Sequence, residues 1–315
     1  MGGRPRCAVV GAANIDIGGF PAGRLAIQDS NPGRIRMSAG GVGRNIACNL
    51  ARLGVETHLA APLGGDAFAA AVRADCDDAG VLCDLAFTFP GEASSAYLFI
   101  ADAGGDMQLA VNDMGICERM TPEALANRLD ALNGMDAVVL DANLPEAAVA
   151  FLAENVRAPL IADAVSAAKA RRLIPALPRL AALKPNALEA EALTGLPVHG
   201  RPSAERAARA LVDMGAAQVF ITLGERGVCC ADANEVRFIP GTPVQMVNAT
   251  GAGDAFTAAL AWAMVNGRDR PLDRALAGLA AASLAVESKE TVNPAVSEAA
   301  LLARMESLGG ALPQS

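Results

Sequence analysis

Short apolar segments alternate with longer alanine-rich segments along most of this 315-residue chain. The apolar segments have the length of buried strands, whereas the alanine-rich ones have the length and the apolar period of helices. The predicted strands lie at residues 8–11, 56–61, 137–140, 160–162, 181–184 and 219–222. Helices are predicted between them, for example at 122–132, 145–155, 187–194 and 203–214. This alternation predicts an α/β fold with a doubly wound, mainly parallel sheet covered by helices on both faces.

Two segments interrupt the alternation, at about residues 17–37 and 87–113. The first is rich in Gly, Pro, Asp and Asn, and the second contains strand-like residues around Tyr97 and Phe99. Both predict extended hairpins outside the main sheet. Because the chain has no internal repeat and no low-complexity linker, the sequence predicts a single domain over residues 1–315 that carries these two hairpins.

Composition narrows the class of protein. Hydrophobic residues make up 52% of the chain but aromatic residues only 3%, so the core is expected to consist of Ala, Leu and Val. A net charge of −8 argues against nucleic-acid binding. The seven cysteines contain no CxxC pair, which excludes the usual disulfide and zinc patterns. No apolar run reaches the roughly 18 residues that span a bilayer, and the first residues do not resemble a signal peptide. A cytoplasmic protein without a membrane partner is therefore expected.

The most informative motif is Gly251-Ala252-Gly253-Asp254, followed by a helix predicted from Ala255 to about Ala263. Three successive backbone N–H groups at a helix start form a binding site for negative charge. Asp254 beside such a site is suited to accept a proton from an attacking hydroxyl group while the N–H groups hold a developing phosphoryl charge. Taken alone, the motif is equally typical of an ordinary helix start with an acidic residue.

Four further motifs precede this turn. The first predicted strand leads to Asn14 and Asp16, and a glycine-rich turn at 40–45 opens a helix that runs to about Leu53. A Lys-Pro-Asn run at 184–186 is followed by Glu189, and residues 222–227 read Thr-Leu-Gly-Glu-Arg-Gly. In this order, over nearly the whole chain, the motifs resemble the ribokinase-like (PfkB) family of carbohydrate and nucleoside kinases. The resemblance implies a ribokinase-like fold, a small β-sheet lid over the sugar and ATP-dependent phosphorylation of an alcohol group.

The first two motifs predict the sugar site. A carboxylate at Asp16 can accept both vicinal hydroxyl groups of a ribose, with Asn14 beside it. Gly40 and Gly41 let the backbone approach the sugar, and Asn45 can donate to a hydroxyl group. Without the kinase turn, the simpler interpretation is that Asn14 and Asp16 cap a turn between a strand and a loop.

The nucleotide site has to be built without a phosphate loop of the GxxxxGK[ST] type, which is absent from the sequence. Thr222, Gly224 and Gly227 follow a strand and can hold ATP phosphates. The resemblance implies that Asn186 binds ATP and that Glu189 holds Mg²⁺, which keeps most of its waters, through water. Taken alone, the run at 184–186 is typical of a plain helix start.

The sequence leaves open whether the protein binds a monovalent cation, K⁺. Many relatives carry an acidic residue and Thr where this chain has Asn248 and Ala249, and that acid helps to hold the cation. An amide weakens a site for a hard cation. Asn248 and Asn293 remain candidate ligands through their oxygens.

The substrate is indicated by shorter stretches at residues 29–33, 40–47, 112–114, 163–169 and 183–191, which together resemble pseudouridine kinases more than ribokinases. Ribokinases tend to carry Lys where this chain has Val42. Pseudouridine has a ring N–H that uridine lacks, and leaving a buried acceptor unpaired costs about 1–3 kcal/mol. Asn143 is expected to help hold the ribose. The residues expected to read the base are Ser30, Asn31, Asn112 and Asp113.

Two other functions stay open at this point. The chain could phosphorylate another ribonucleoside or sugar, or it could be a non-catalytic regulator that binds a nucleoside. The intact turn at 251–254 favours a kinase. A homodimer is expected because the lid would expose edge strands that can pair between subunits.

Overall fold

The computed structural model describes residues 3–102 and 104–310. Its strands, in chain order, are β1 (Arg6–Val10), β2 (Asn14–Pro21), β3 (Gly33–Gly40), β4 (Glu56–Ala60), β5 (Pro62–Gly64), β6 (Val81–Leu82), β7 (Phe87–Phe89), β8 (Ala96–Ala101), β9 (Met107–Asp113), β10 (Ala137–Asp141), β11 (Leu160–Asp163), β12 (Leu180–Lys184), β13 (Val219–Thr222), β14 (Gly227–Ala231) and β15 (Val236–Pro240).

The α-helices over the same residues are α1 (Val42–Arg52), α2 (Ala67–Asp78), α3 (Pro122–Ala126), α4 (Leu129–Asn133), α5 (Glu146–Asn155), α6 (Ala167–Ala170), α7 (Ala187–Thr194), α8 (Arg201–Asp213), α9 (Ala252–Val265), α10 (Pro271–Ala285) and α11 (Glu298–Gly310). Short 3₁₀ helices occur at Gly115–Arg119, Arg171–Arg179 and Gly224–Arg226. None of the helices in the described part of the chain has both the length and the hydropathy needed to cross a bilayer.

The main sheet has nine strands in the order β15-β14-β13-β12-β11-β10-β1-β4-β6. Seven neighbouring strands of this sheet are parallel, namely β6, β4, β1, β10, β11, β12 and β13. Strands β14 and β15 extend the sheet in antiparallel fashion. Alternate residues of β1 enter the two cores: Cys7 and Val9 pack with residues of α1, α9 and α10, and Ala8 and Val10 with residues of α5, α7 and α8. This architecture confirms the predicted α/β class with a mainly parallel sheet and helices on both faces.

A separate four-stranded sheet, the lid, has the order β3-β2-β8-β9. It consists of two antiparallel hairpins, β2 with β3 and β8 with β9, joined by parallel pairing of β2 with β8. The lid hairpins lie at residues 14–40 and 96–113, whereas the beginning of the predicted segment 87–113 forms β7, which pairs in parallel with β5 in a separate two-stranded sheet. Residues directly opposite on paired strands share a face. Asp16, Tyr97 and Asn112 form such a row on one face of the lid.

The other face of the lid is mostly apolar and partly open to solvent. Ile17, Met37, Leu98 and Val111 form one row across all four strands. The exposed fraction reaches 77% for Ile35 on β3 and 61% each for Leu109 and Val111 on β9. Apolar side chains exposed together in this way indicate a surface that another molecule covers.

Two predicted helix boundaries are wrong. The helix expected at 122–132 is interrupted: Asn127 N–H and Arg128 N–H donate to the carbonyls three residues earlier, which tightens the turn and ends α3. The Arg128 guanidinium group then lies 5.1 Å from the ring centroid of Phe87. The helix expected from Ala255 begins three residues earlier, at Ala252. Asp254 consequently lies inside the first turn of α9 rather than before it.

Candidate active site

Three neighbouring parallel strands end in charged residues. Asp141 ends β10, Asp163 ends β11 and Lys184 ends β12. The strand register pairs Asp141 with Asp163 and Asp163 with Lys184. All three side chains are almost completely buried. Burying unpaired charge is costly, so such a group at the carboxyl edge of a parallel sheet indicates a binding or catalytic site.

Asp254 approaches these strand ends from α9. Gly251 precedes the helix with a φ of 86°, and a Cβ at this position would lie 2.0 Å from the carbonyl oxygen of Thr291. Only glycine fits this left-handed turn. The N–H groups at 252–254, in the first turn of α9, have no acceptor within the helix and are available to an anion. Asn45 Nδ2, from α1, donates to Asp254 Oδ2 at 2.8 Å.

The surroundings of Asp254 place its titration near neutrality. Burial has the largest effect and, together with the negative charges of Asp163 and Asp141, raises the pKa of Asp254 to about 7, whereas the hydrogen bond from Asn45 and the charge of Lys184 oppose the rise. A carboxylate with a pKa near the working pH can take up and release a proton efficiently. Asp254 therefore has the electrostatic properties of a general base.

Asp141 has a different environment. Its two oxygens accept hydrogen bonds from the backbone N–H groups of Ala12 (2.9 Å) and Asn143 (2.8 Å). Burial nevertheless raises its pKa to about 6. The predicted ribose residue Asn143 is itself buried, and its Oδ1 accepts a hydrogen bond of 2.5 Å from Lys169 Nζ. Asn143 thus lies between Asp141 and a cation.

The predicted sugar residues lie together where the lid joins α1. Asn14 Nδ2 donates to Asp16 Oδ1 at 2.6 Å, and burial raises the pKa of Asp16. A Cβ on Gly40 would lie 2.3 Å from Asp16 Oδ2, so a larger residue would displace the carboxylate. Gly41 directly precedes α1, which carries Asn45. Asn45 Nδ2 donates to Asp254, a contact that sequence reasoning missed, and its donation to a substrate hydroxyl group stays a prediction.

A cavity of about 850 Å³ lies beside Asp16, between the lid, α1, α2 and residues 289–294. Its size is typical of a site for a small molecule. Phe20 and Phe99 meet edge to face with ring centroids 5.8 Å apart, and the Arg36 guanidinium group lies 5.5 Å from the Phe20 ring centroid. The lining includes Asp16, Phe20, Arg36, Ser38, Arg44 and Phe99.

The predicted nucleotide residues occupy the ends of β12 and β13. Asn186 and Thr222 form a parallel bridge between these neighbouring strand ends. A tight turn, Gly224–Arg226, follows Thr222, and Gly227 begins β14 with a φ of 114°. The structure therefore brings Asn186, Thr222, Gly224 and Gly227 into one region.

Glu189 forms a capping box with Asn186 at the start of α7. Its Oε2 and Oε1 accept hydrogen bonds of 2.7 Å each from Asn186 N and Nδ2, and Asn186 Oδ1 accepts from Glu189 N–H. The side chain is 3% exposed, and burial raises its pKa. With both oxygens so engaged, Glu189 is suited to hold Mg²⁺ through water rather than as a direct ligand. Within residues 3–102 and 104–310, no group of three or more His, Cys, Asp or Glu is arranged to hold a metal.

Asn248 and Asn293, the candidate cation ligands, both bond to the backbone. Asn248 Oδ1 accepts from Thr250 N–H at 3.0 Å and its Nδ2 donates to the carbonyl of Lys289 at 3.2 Å. Asn293 Oδ1 accepts from Ala295 N–H at 2.9 Å. The bond to Lys289 fastens the segment before α9 to the segment at 289–293, whereas the other two bonds are local.

The residues predicted to read the base are not brought together. Ser30 and Asn31 lie on the exposed connection between β2 and β3, where the Asn31 amide bonds to the backbone of Ala26. Asn112 is on the lid face of Asp16, whereas Asp113 pairs with Ala96 on the opposite face. Of the four, only Asn112 is on the lid face of Asp16, and it is not part of the cavity wall.

Sequence reasoning assigned no role to several residues of this site. Asp141, Asp163 and Lys184 carried a readable signal, because each directly ends a run of apolar residues that forms a strand. Charged residues at successive strand ends of a parallel sheet meet at one edge. Arg36 and Phe99 gave no such signal, since their position depends on how the lid folds over α1.

Comparison with known proteins agrees with this geometry. The sequence pattern of the pfkB family carbohydrate kinases matches residues 4–298. The chain is 35% identical to the pseudouridine kinase of Escherichia coli K12 over 95% of this chain and 96% of that protein. It is 34% identical to an uncharacterized sugar kinase of the same organism, over 92% of this chain and 81% of that protein.

A solved structure shows the same fold. The ribokinase of Arabidopsis thaliana, in complex with ribose and ATP, superposes with a TM-score of 0.86 and 27% sequence identity, over 96% of this chain and 99% of that one. The match of the family pattern across most of the chain, together with the identity to the pseudouridine kinase, shows the family. This chain belongs to the pfkB family of carbohydrate kinases.

Proposed function

We propose that this protein is an ATP-dependent kinase that phosphorylates the 5′-hydroxyl group of pseudouridine to give pseudouridine 5′-phosphate. The observation that carries the proposal is Asp254, a carboxylate with a pKa of about 7 in the first turn of α9. Its position beside free N–H groups suits phosphoryl transfer to an alcohol. The identity to a pseudouridine kinase supports this nucleoside as the acceptor.

In the proposed reaction Asp254 accepts the proton of the 5′-hydroxyl group. Asn45 holds Oδ2, which orients the carboxylate and leaves Oδ1 for the substrate. The hydroxyl oxygen would form a bond to the γ-phosphorus of ATP while the bond from that phosphorus to the β,γ-bridging oxygen breaks, so that ADP leaves and the hydroxyl proton passes to Asp254. The predicted N–H groups of Gly251, Ala252 and Gly253, of which the last two lie in the first turn of α9, would stabilise the charge on the transferring group, since they are fixed before the reaction begins.

ATP supplies the phosphoryl group when bound, and Mg²⁺ neutralises its charge. The residues that would hold the nucleotide are Asn186, Thr222, Gly224 and Gly227, which lie at two adjacent strand ends. Glu189 would hold the hydrated Mg²⁺ through water. K⁺ remains a candidate activator at Asn248 and Asn293, where the side-chain oxygens would have to accept the ion in addition to a backbone N–H group.

The cavity beside the lid accounts for the sugar and the base. Asp16 accepts the vicinal hydroxyl groups, with Asn14 and the backbone at Gly40 and Gly41 around it, and Asn143 contributes from the main sheet. The base lies against the aromatic pair of the lid. Asn112 is the member of the predicted set that stays in this proposal, joined by Ser38 and Arg36 from the cavity wall.

The apolar outer face of the lid supports a homodimer. The row from Met37 to Val111 carries no charged side chain, so two copies could meet there by the same face without like-charge repulsion. Packing of two such sheets would remove the exposed Ile35, Leu109 and Val111 from water.

The deciding experiment measures ADP release from ATP and Mg²⁺ with pseudouridine, uridine, ribose and adenosine side by side, and identifies the product by mass and phosphorus NMR. A clear preference for pseudouridine with a 5′-phosphate product supports the proposal. Equal turnover of uridine would discard base reading, and an unchanged preference in Asn112→Ala and Ser38→Ala would remove these two residues from it.

A second candidate is a kinase for another ribonucleoside or sugar, which the 34% identity to an uncharacterized sugar kinase favours. Turnover of ribose or adenosine in the same assay would select it. A non-catalytic regulator would instead show nucleoside-dependent thermal stabilisation without ADP release. The intact turn at 251–254 places this third function last.

A further inference from the structure

A buried ion pair lies directly beneath the turn that carries Asp254. Lys184 Nζ is 2.8 Å from Asp163 Oδ2, and the two side chains are 6% and 2% exposed. A Cβ placed on Gly253 would lie 3.0 Å from the same Nζ, so the ammonium group approaches the backbone of the first turn of α9. Neither residue has a role in the proposed reaction as described so far.

The ion pair is held in a fixed position. Asp163 Oδ2 also accepts a hydrogen bond of 2.6 Å from Thr257 Oγ1, and Asp163 Oδ1 accepts one of 2.9 Å from Val165 N–H. Thr257 is fully buried in α9, one turn after Asp254. Because a buried ion pair seldom adds net stability over apolar residues of similar size, its presence calls for another explanation.

We propose that Lys184 is a positioning residue that places a fixed positive charge beneath Asp254, so that Asp254 can exist as a carboxylate at neutral pH although Asp141 and Asp163 lie close by. Asp163 in turn fixes Lys184 and prevents it from pairing with Asp254 directly. Lys184 thereby sets the pH range in which the base is active. The kinetic consequence rests on the proposed function, whereas the electrostatic one does not.

The groups that affect the ionisation of Asp254 lie on several elements packed against it. Lys184 and Asn45 favour the ionised form of Asp254, whereas Asp163 and Asp141 disfavour it. Glu189, on α7, acts on Lys184 rather than on Asp254. The remaining charged residues on packed segments are Arg44 on α1, which is paired with Asp75, and Lys289 and Glu290 beside Gly251.

Substitutions of the two partners should act in opposite directions. Lys184→Met removes the cation and leaves two carboxylates uncompensated, so the pKa of Asp254 should rise by about one pH unit or more. Asp163→Asn removes the charge that disfavours ionisation most, so the pKa of Asp254 should fall. A packing defect alone would lower the activity of both variants at every pH. It would not shift the pKa of Asp254 in opposite directions in the two variants.

The experiment titrates Asp254 directly. Protein labelled with ¹³C at aspartate carboxyl groups is followed by NMR against pH, and Asp254→Asn identifies the resonance. Lys184→Arg, which keeps the charge, is the matched control and should titrate near wild type. The proposal is overturned if Lys184→Met and Asp163→Asn move the Asp254 titration in the same direction, or if neither moves it.

Two further outcomes are informative. If Lys184→Met does not fold, an unchanged or raised pKa of Asp254 in Asp163→Asn overturns the proposal by itself. The acidic limb of kcat/KM against pH is measured in parallel and should follow the NMR titration in each variant. Opposite NMR shifts in a protein that phosphorylates no acceptor would retain the electrostatic role of Lys184 and discard the proposed function.

Discussion

Asp254→Asn is expected to remove activity and to stabilise the protein against unfolding. The gain in unfolding free energy should depend on pH. The pKa of Asp254 is raised from 3.8 to about 7 in the folded protein. Ionising it in the fold therefore costs up to about 4 kcal/mol more than in the unfolded chain. An Asn side chain keeps the shape, its oxygen can still accept from Asn45, and it carries no charge to bury.

The sign of the pH dependence follows from linkage. Because the pKa is higher in the folded state, the wild type has no penalty below about pH 4, loses stability as the pH rises and carries the full penalty above about pH 7. Near pH 5 the penalty is about 1.5 kcal/mol, and near pH 8.5 it reaches its upper limit. The variant should gain up to about 3 kcal/mol more at the higher pH than at the lower one.

The assay measures the free energy of unfolding by denaturant at both pH values and at equal protein concentration. Asp213→Asn is the control, because this exposed residue on α8 should give a difference that hardly changes between the two. The reasoning is refuted if Asp254→Asn has a lower unfolding free energy than the wild type at pH 8.5, or if it gains the same unfolding free energy at both pH values. Either result would show that the ionised Asp254 side chain does not cost stability. In the same protein kcat should fall by about 10² or more with ATP affinity little changed.

Three further predictions address the turn, the lid and the cation. Gly251→Ala should lose at least about 2 kcal/mol of unfolding free energy and most of its activity, because its φ is 86° and the added Cβ meets the Thr291 carbonyl; Gly309→Ala, with open space around it, should be neutral or slightly stabilising. Leu109→Glu should shift a dimer to monomer in sedimentation, whereas Leu188→Glu, equally exposed on α7, should not, and a dimer that persists in Leu109→Glu would exclude the outer lid face. Replacing K⁺ by a large organic cation should lower kcat, and equal rates would remove Asn248 and Asn293 from the site.

The main sheet was predictable because each of its central strands is a short apolar run with a polar boundary. The predicted strand at 219–222 matches β13, and that at 137–140 misses only the final Asp141 of β10. The break between α3 and α4 was not predictable from period alone. Arg128 lies at this break, and its guanidinium group contacts Phe87, a residue distant in the sequence.

The site was predictable where a motif fixes backbone geometry. The motifs at 251–254 and 186–189 each lie at a helix start, as predicted, because these are local structures determined by residues three or four apart, although α9 begins at Ala252 rather than at Ala255. The residues predicted to read the base agree least with the structure, since Asn112 and Asp113 are adjacent in sequence but lie on opposite faces of the lid. A register that places one residue inward and the next outward cannot be inferred until the pairing of β8 with β9 is known.

The charged residues that end β10, β11 and β12 are unfavourable for the stability of the sheet. An apolar strand that ends in a buried charge gives up stability, and three such strands side by side give up more. Asp163 and Lys184 neutralise each other, so their cost is limited, whereas Asp254 and Asp141 have pKa values raised by burial. The uncompensated part of the cost thus falls on Asp254, the proposed base, and on Asp141, whose charge acts on it. A sheet selected for stability alone would have apolar residues here, and that difference locates the chemistry.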